Sequence, residues 1–157
     1  MKKLASLALL VTMLVAGPAF AADPIVGSWK LNVAKSKFTA GQELTAGTRT
    51  YTEANGVYTL EQKLTHKDGK EASNRVQYSD GKEMTQTGTG GPAGVTVATL
   101  AHKVSANTWD FDLKQDGKVV GHVHRVVSAD GKSVTVHNTG MQLSGVMGDE
   151  TLVFDKQ

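Results

Sequence analysis

Hydrophobic and polar side chains alternate with a period of two along most of the chain beyond residue 22. Ile25, Gly27, Trp29, Leu31 and Val33 fall on one face of the first segment, with Ser28, Lys30 and Asn32 on the other. Tyr58, Leu60, Gln62 and Leu64 repeat the pattern opposite Thr59, Glu61 and Lys63, as do Trp109, Phe111 and Leu113 opposite Asp110, Asp112 and Lys114. Successive side chains of a strand project to opposite faces, so this alternation predicts strands with one face buried and one wet. The same reading extends to about 48–53, 71–78, 83–87, 95–104, 118–128, 132–138 and 150–155. No stretch carries the 3.6-residue apolar period of a helix, although 34–46 has room for one short helical turn.

Repeated turn chemistry separates these segments. Asn55-Gly56, Asp68-Gly69, Asp80-Gly81, Asp116-Gly117 and Asp130-Gly131 each set a residue tolerant of positive φ beside a glycine, as two-residue hairpin turns require. None has the spaced oxygen ligands and closing glutamate of a calcium loop. About nine or ten strands joined mostly by tight turns make a meander, and closure is the simplest way to hide its two edges. The expected fold is therefore all-β, a single antiparallel up-and-down meander closed into a barrel of eight to ten strands.

The start of the chain reads differently. Lys2 and Lys3 precede an apolar run from Leu4 to Ala16, Gly17 and Pro18 break it, and Ala19-Phe20-Ala21 gives a small-x-small pattern. This is the layout of a secretory signal, so residues 1–21 are expected to be removed, leaving one domain over 22–157 in a periplasmic or secreted location. The run is shorter than the roughly 20 apolar residues that span a bilayer, so no membrane anchor is expected after cleavage. The absence of cysteine excludes both a lipid-attached form and disulfides, which leaves packing to hold the fold. Of 17 basic side chains, loss of Lys2 and Lys3 leaves 15 against 15 acidic ones. A neutral domain has no long-range field with which to gather phosphates, which argues against a nucleic-acid partner.

Gly27-Ser28-Trp29 resembles the Gly-x-Trp signature of lipocalins and the wider calycin group, which includes fatty-acid-binding proteins and avidins. The string from Gly27 to Phe38, with that from Arg125 to Val136, resembles a set of small exported bacterial proteins described as lipocalin-like, and the likeness covers most of residues 22–157. The resemblance implies a calycin-like barrel whose tryptophan, Trp29, closes the floor beneath an arginine from a late strand. Arg125 is the candidate partner, sharing a strand face with Val119, Gly121, Val123 and Val127 and able to lay its guanidinium over the indole. The lipocalin disulfides, the Thr-Asp-Tyr motif and a C-terminal helix have no counterpart here.

A barrel of this size is either filled by its own side chains or holds one small ligand. The candidate cavity residues are Tyr51, Tyr58, Leu60, Tyr78, Leu100 and Phe111, with Gln62 and Asn74 as polar anchors and Arg49 and His66 on the same inner surface. Polar groups in an interior need partners, so they serve either a polar group of a ligand or water at a wet open end. Residues 87–94 hold too much glycine to keep one shape cheaply and are expected to be mobile; they lack the Gly-Lys-Ser/Thr ending of a phosphate loop. In 139–149, Met141, Leu143, Val146 and Met147 lie among glycines, which reads as a plug under the barrel or a lid over its entrance.

Candidate chemistry is sparse. His122 and His124, two apart on a strand, project from one face and make a metal half-site whose third ligand would come from His102, His137, His66 or a carboxylate. The alternation sets both on the outer wall, where they read first as solvated histidines. Ser144 lacks the Gly-x-Ser-x-Gly elbow, and Asp110 and Asp112, spaced like a glycosidase pair, alternate with core aromatics and so face water. The function favoured is non-catalytic binding, without a cofactor, of a small, largely apolar molecule inside a barrel. Two alternatives stay open: a haem, metal or enzymatic barrel using His122 and His124, and a filled barrel acting as a structural or protein-interaction module. A carrier should contain on the order of several hundred Å³ of interior space.

Intact mass measurement of the protein recovered from the exported fraction is expected to give a chain beginning at Ala22. Recovery with residues 1–21 still attached would overturn the signal reading.

Overall fold

Asn55-Gly56 and Asp116-Gly117 have positive φ at both residues (54° and 77°, 49° and 74°), the conformation that reverses a strand within two residues. The computed structural model describes residues 23–89, 97–142 and 146–157. Its strands are β1 (Gly27–Leu31), β2 (Leu44–Ala54), β3 (Val57–His66), β4 (Glu71–Tyr78), β5 (Glu83–Thr85), β6 (Thr87–Thr89), β7 (Ala98–Lys103), β8 (Thr108–Gln115), β9 (Lys118–Val127), β10 (Ser133–Met141) and β11 (Met147–Lys156). The long strands pair antiparallel with their sequence neighbours, and β11 returns to pair with β1. The expected 1–21 segment lies outside the described residues.

The ladder would be open between β4 and β7, which do not pair with each other; the stretch 83–89 closes it. Its first half, β5, bonds to β7, and its second half, β6, bonds to β4. At the changeover the Gln86 backbone N–H donates to the Val97 carbonyl (2.9 Å). Its side chain reaches back across the gap: Oε1 accepts from the Gln77 N–H (3.0 Å) and Nε2 donates to the Gln77 carbonyl (2.9 Å). The glutamine amide thus stands in for a strand's backbone groups on β4, which would otherwise be left without ladder partners. Among the described residues eleven strand segments result; counted as one broken strand, β5 and β6 leave ten, within the eight to ten expected.

Four expectations change. Asp80-Gly81 turns the chain but does not join paired strands; it crosses the seam, where the Gly81 N–H donates to the Ala101 carbonyl (2.8 Å) and the Asp80 carboxylate accepts from the Lys103 N–H (2.9 Å). Of the stretch 139–149 expected as a plug or lid, 139–141 and 147–149 continue β10 and β11, paired as far as Met141 and Met147, and 143–145, with Leu143, lie outside the described residues. Of the glycine-rich 87–94, residues 87–89 form β6 and the rest lie outside the described residues. Val33, expected inside, is 40% exposed because a 3₁₀ turn at Val33–Lys35, capped by the Asn32 side chain, rotates it outward. This turn is the short helical element for which 34–46 had room.

One end of the barrel is shut by the residues just before β1. Trp29 is fully buried and its indole N–H donates to the Ile25 carbonyl (2.8 Å). Asp23 accepts from the Ile25 N–H (3.1 Å), the Tyr58 hydroxyl (2.8 Å) and Lys103 Nζ (2.6 Å), tying the leading segment to β3 and β7. Burial pushes the Asp23 carboxyl up, but the bonds from Lys103, Tyr58 and Ile25 outweigh it and hold the group below its ordinary 3.8. A carboxylate with a depressed folded pKa contributes stability above its ordinary value and loses it as pH falls through the folded pKa. Asp23→Asn is therefore expected to cost about 1–2 kcal/mol at neutral pH. Urea unfolding across pH should show that deficit shrinking in acid; a constant deficit would mean the ion pair is not its origin.

Candidate functional site

Strand register stacks the inward side chains into cross-strand layers. On β2, β3 and β4 the layer nearest the closed end after Tyr58 and Tyr78 is Tyr51–Leu60–Val76. Arg49–Gln62–Asn74 comes next, then Gly47–Leu64–Ala72, and His66 opposite Leu44 lies beyond. On the other wall Trp109–Arg125–Val136–Leu152 is followed by Ala101–Phe111–Val123–Asn138–Glu150 and then Thr99–Leu113–Gly121–Gly140–Gly148. The two walls enclose a cavity of about 110 Å³. That is smaller than the several hundred Å³ expected, yet the interior is not filled, and it has room for several waters or one small organic group.

Of the eight residues expected to line this space, Tyr51, Leu60, Gln62, Asn74, Tyr78 and Phe111 stand in its wall. Two do not. Leu100 lies on the outer face, because Thr99 and Ala101 are the inward residues of β7. Tyr58 is one layer too low; its ring stacks on Tyr78 (5.2 Å between centroids) and its hydroxyl is committed to Asp23. Thr99, Asn138, Gln142 and Glu150 line the cavity and were not foreseen. For Glu150 the signal was present, since it alternates with Leu152 and Phe154, but its charge argued for the surface.

The polar layer is not a wet rim. Arg49 and Gln62 are each 7% exposed, with an apolar layer below and Leu64 and Ala72 above. Arg49 Nε donates to Gln62 Oε1 (2.5 Å) and its guanidinium lies 4.4 Å from the Phe154 ring centre. Glu150, also 7% exposed, accepts from Asn138 Nδ2 (2.8 Å). Burial raises the Glu150 carboxyl above its ordinary 4.5, and the Asn138 bond with the charges of Arg49 and His66 pulls it only part of the way back.

Arg125 is not the lid over Trp29. The register sets it opposite Trp109, and its guanidinium lies 4.9, 5.0, 5.1 and 5.7 Å from the ring centres of Phe111, Tyr78, Tyr51 and Trp109. The cation over Trp29 is Lys156, Nζ 4.8 Å from the ring, and it also donates to the carbonyls of Pro24 and Val26 (both 3.2 Å). Arg125 is 3% exposed, and its Nε and Nη2 have no hydrogen-bond partner among the described residues. Burying a guanidinium without a counter-charge costs on the order of several kcal/mol, against which each ring face returns about 0.5–2 kcal/mol. Tyr78, Thr99 and Asn74 also line the cavity, and the Tyr78 hydroxyl, Thr99 Oγ1 and Asn74 Oδ1 are buried without a hydrogen-bond partner among the described residues. Burial raises the Tyr78 hydroxyl well above its usual range, so it stays protonated and can donate.

His122 and His124 stand on the outer wall, where their Nδ1 atoms meet Asp112 (2.8 Å) and Asp110 (2.6 Å). Among the described residues no three His, Cys, Asp or Glu side chains are placed to hold one metal ion.

No protein-family profile matches the chain, and no curated protein matches it. Solved structures do. The chain superposes on a Schistosoma mansoni fatty-acid-binding protein in complex with arachidonic acid (TM-score 0.59, 15% identity, 85% of this chain and 96% of that one). It also superposes on the apo lipid-binding protein 8 of Caenorhabditis elegans (0.61, 10%, 87% and 98%). A zebrafish ileal bile-acid-binding protein complexed with cholic acid matches as well (0.56, 9%, 85% and 99%). At these identities the likeness establishes the fold, a nearly closed calycin-like barrel.

A carboxyl whose folded pKa is raised contributes its stability below the ordinary value and loses it as pH rises through the folded one. Glu150→Gln keeps the acceptor for Asn138 without the charge. Its melting temperature is expected to match wild type below pH 4.5 and to exceed it increasingly toward neutrality. A variant less stable than wild type at pH 7 would show that Arg49 and His66 more than compensate the buried charge.

Proposed function

We propose that the chain is an exported, non-catalytic binding protein that holds one small, largely apolar molecule inside its barrel, working in the periplasm or outside the cell once residues 1–21 are removed. The observation that carries this reading is the interior itself: a nearly closed barrel with a cavity of about 110 Å³ walled largely by aromatic and aliphatic side chains, around which a few buried polar atoms have no protein partner among the described residues. A filled barrel that served only as a scaffold would gain stability by packing that space and gain nothing from the orphaned polar groups. The structural neighbours in complex with arachidonic or cholic acid support binding in the same interior, and a cavity of about 110 Å³ argues for a guest smaller than those acids. The ligand contacts proposed are Tyr51, Leu60, Gln62, Asn74, Tyr78 and Phe111.

Native mass spectrometry of gently purified protein is expected to detect a co-purified small molecule, or uptake of one from a library of small amphipathic compounds. A ligand at about 100 times its Kd should add roughly 2.7 kcal/mol of stability, readable as a rise in melting temperature. Val76→Trp, which projects an indole into the space, is expected to abolish that rise while retaining a folded β-sheet spectrum. A protein that takes up nothing, with Val76→Trp melting at or above wild type, would mean that the barrel is a scaffold.

A further inference from the structure

The carrier reading, on which this inference rests, leaves the chemistry of the guest open. The polar atoms around the cavity fall into two groups. The unpartnered atoms of Arg125, Tyr78, Thr99 and Asn74 are sealed, with almost no accessible surface, and no guest reaches them without the wall moving. A second group is open. Arg49 uses Nε on Gln62 and Nη1 on the Tyr51 hydroxyl (3.5 Å), which leaves Nη2. Gln62 uses Oε1 on Arg49, which leaves Nε2, and Glu150 uses Oε1 on Asn138, which leaves Oε2. These three remaining atoms have no hydrogen-bond partner among the described residues and are not sealed. Their residues line the cavity and are each only 7% exposed, so the surface the three atoms keep faces the space inside. They differ in sense: Nη2 and Nε2 are donors from β2 and β3, and Oε2 is an acceptor from β11. The Arg49 guanidinium acts on the Glu150 carboxyl through space, not through a hydrogen bond, so donors and acceptor face each other across a gap.

We infer that the guest carries an uncharged carboxamide-type group, a C=O beside an N–H, whose oxygen accepts from Arg49 Nη2 and Gln62 Nε2 and whose N–H donates to Glu150 Oε2. An amide, lactam or urea edge presents acceptor and donor side by side and so serves both walls at once. Both contacts involve a charged protein group, which makes them the stronger kind of hydrogen bond. Charge selects in the same direction: a guest acid would meet the Glu150 carboxylate, and a guest ammonium would meet the guanidinium of Arg49. The apolar remainder of the guest packs on Tyr51, Leu60 and Val76, one layer nearer the closed end than Arg49 and Gln62. The volume of about 110 Å³ limits that remainder to a single ring or a short chain.

Calorimetric titration of the signal-free protein at neutral pH with benzamide, benzoate and benzylamine tests this, since the probes share one ring and differ in charge. Benzamide is expected to bind wild type at least about 10-fold more tightly than either of the others, the margin of one hydrogen bond to a charged group. Glu150→Gln removes the anionic acceptor, so its benzamide affinity is expected to fall about 10-fold and its benzoate affinity to rise. A glutamate kept only for structure would leave the order of the three probes unchanged. Benzoate or benzylamine binding wild type as tightly as benzamide, or an unchanged order in a folded Glu150→Gln, would overturn the carboxamide assignment while leaving the carrier reading intact. If none of the three binds, the molecule found by native mass spectrometry decides. A guest with a C=O beside an N–H supports the assignment, a guest without one overturns it alone, and the absence of any guest overturns the carrier reading with it. The wild-type comparison of the probes stands even if Glu150→Gln does not fold.

Discussion

A meander has two edges, and every unpaired backbone group along them invites another strand. Here both edges are satisfied by the stretch 83–89, which bonds first to β7 and then to β4, with the Gln86 amide spanning the changeover. Closure at this seam fixes how far apart opposite walls stand. Which inward side chains reach each other, and how much space is left between them, follow from that distance. The aromatic cluster of Tyr58, Tyr78, Trp109 and Phe111 draws its members from β3, β4 and β8, so it assembles only when the seam is shut.

Inside the closed tube the polar groups are distributed by layer rather than gathered at a mouth. Arg49 is largely satisfied by Gln62 and by the face of Phe154. Arg125 has ring faces but no acceptor on its Nε and Nη2. Two arginines in one interior thus sit in different electrostatic conditions, and the difference comes from their neighbours in the register. The closed end uses a third cation, Lys156, where a late-strand arginine was expected over Trp29. The capping role is kept and the residue changes, because β11 rather than β9 pairs with β1.

Much of the candidate site was legible, and its errors have separate causes. Alternation placed Tyr51, Leu60, Gln62, Asn74, Tyr78 and Phe111 on inward faces, since a strand's two-residue period carries that information locally. Leu100 failed because Thr99, not the larger apolar residue beside it, faces in. Tyr58 failed because alternation says which face a residue takes and nothing about its depth. Glu150 and Asn138 were passed over because polarity argued for solvent, whereas the layer they share is closed over by the opposite wall.

The chain by itself determined most of the strands, of the turns that join them and of the inward set, because each depends on residues adjacent in sequence: a φ preference at an Asx-Gly pair, or a side chain's parity along a strand. Tertiary structure alone decided where the barrel shuts, how large the cavity is and which cation faces which ring. Those outcomes depend on register between strands far apart in the chain. A shift of one residue there would leave every local preference unchanged while exchanging the inner face for the outer.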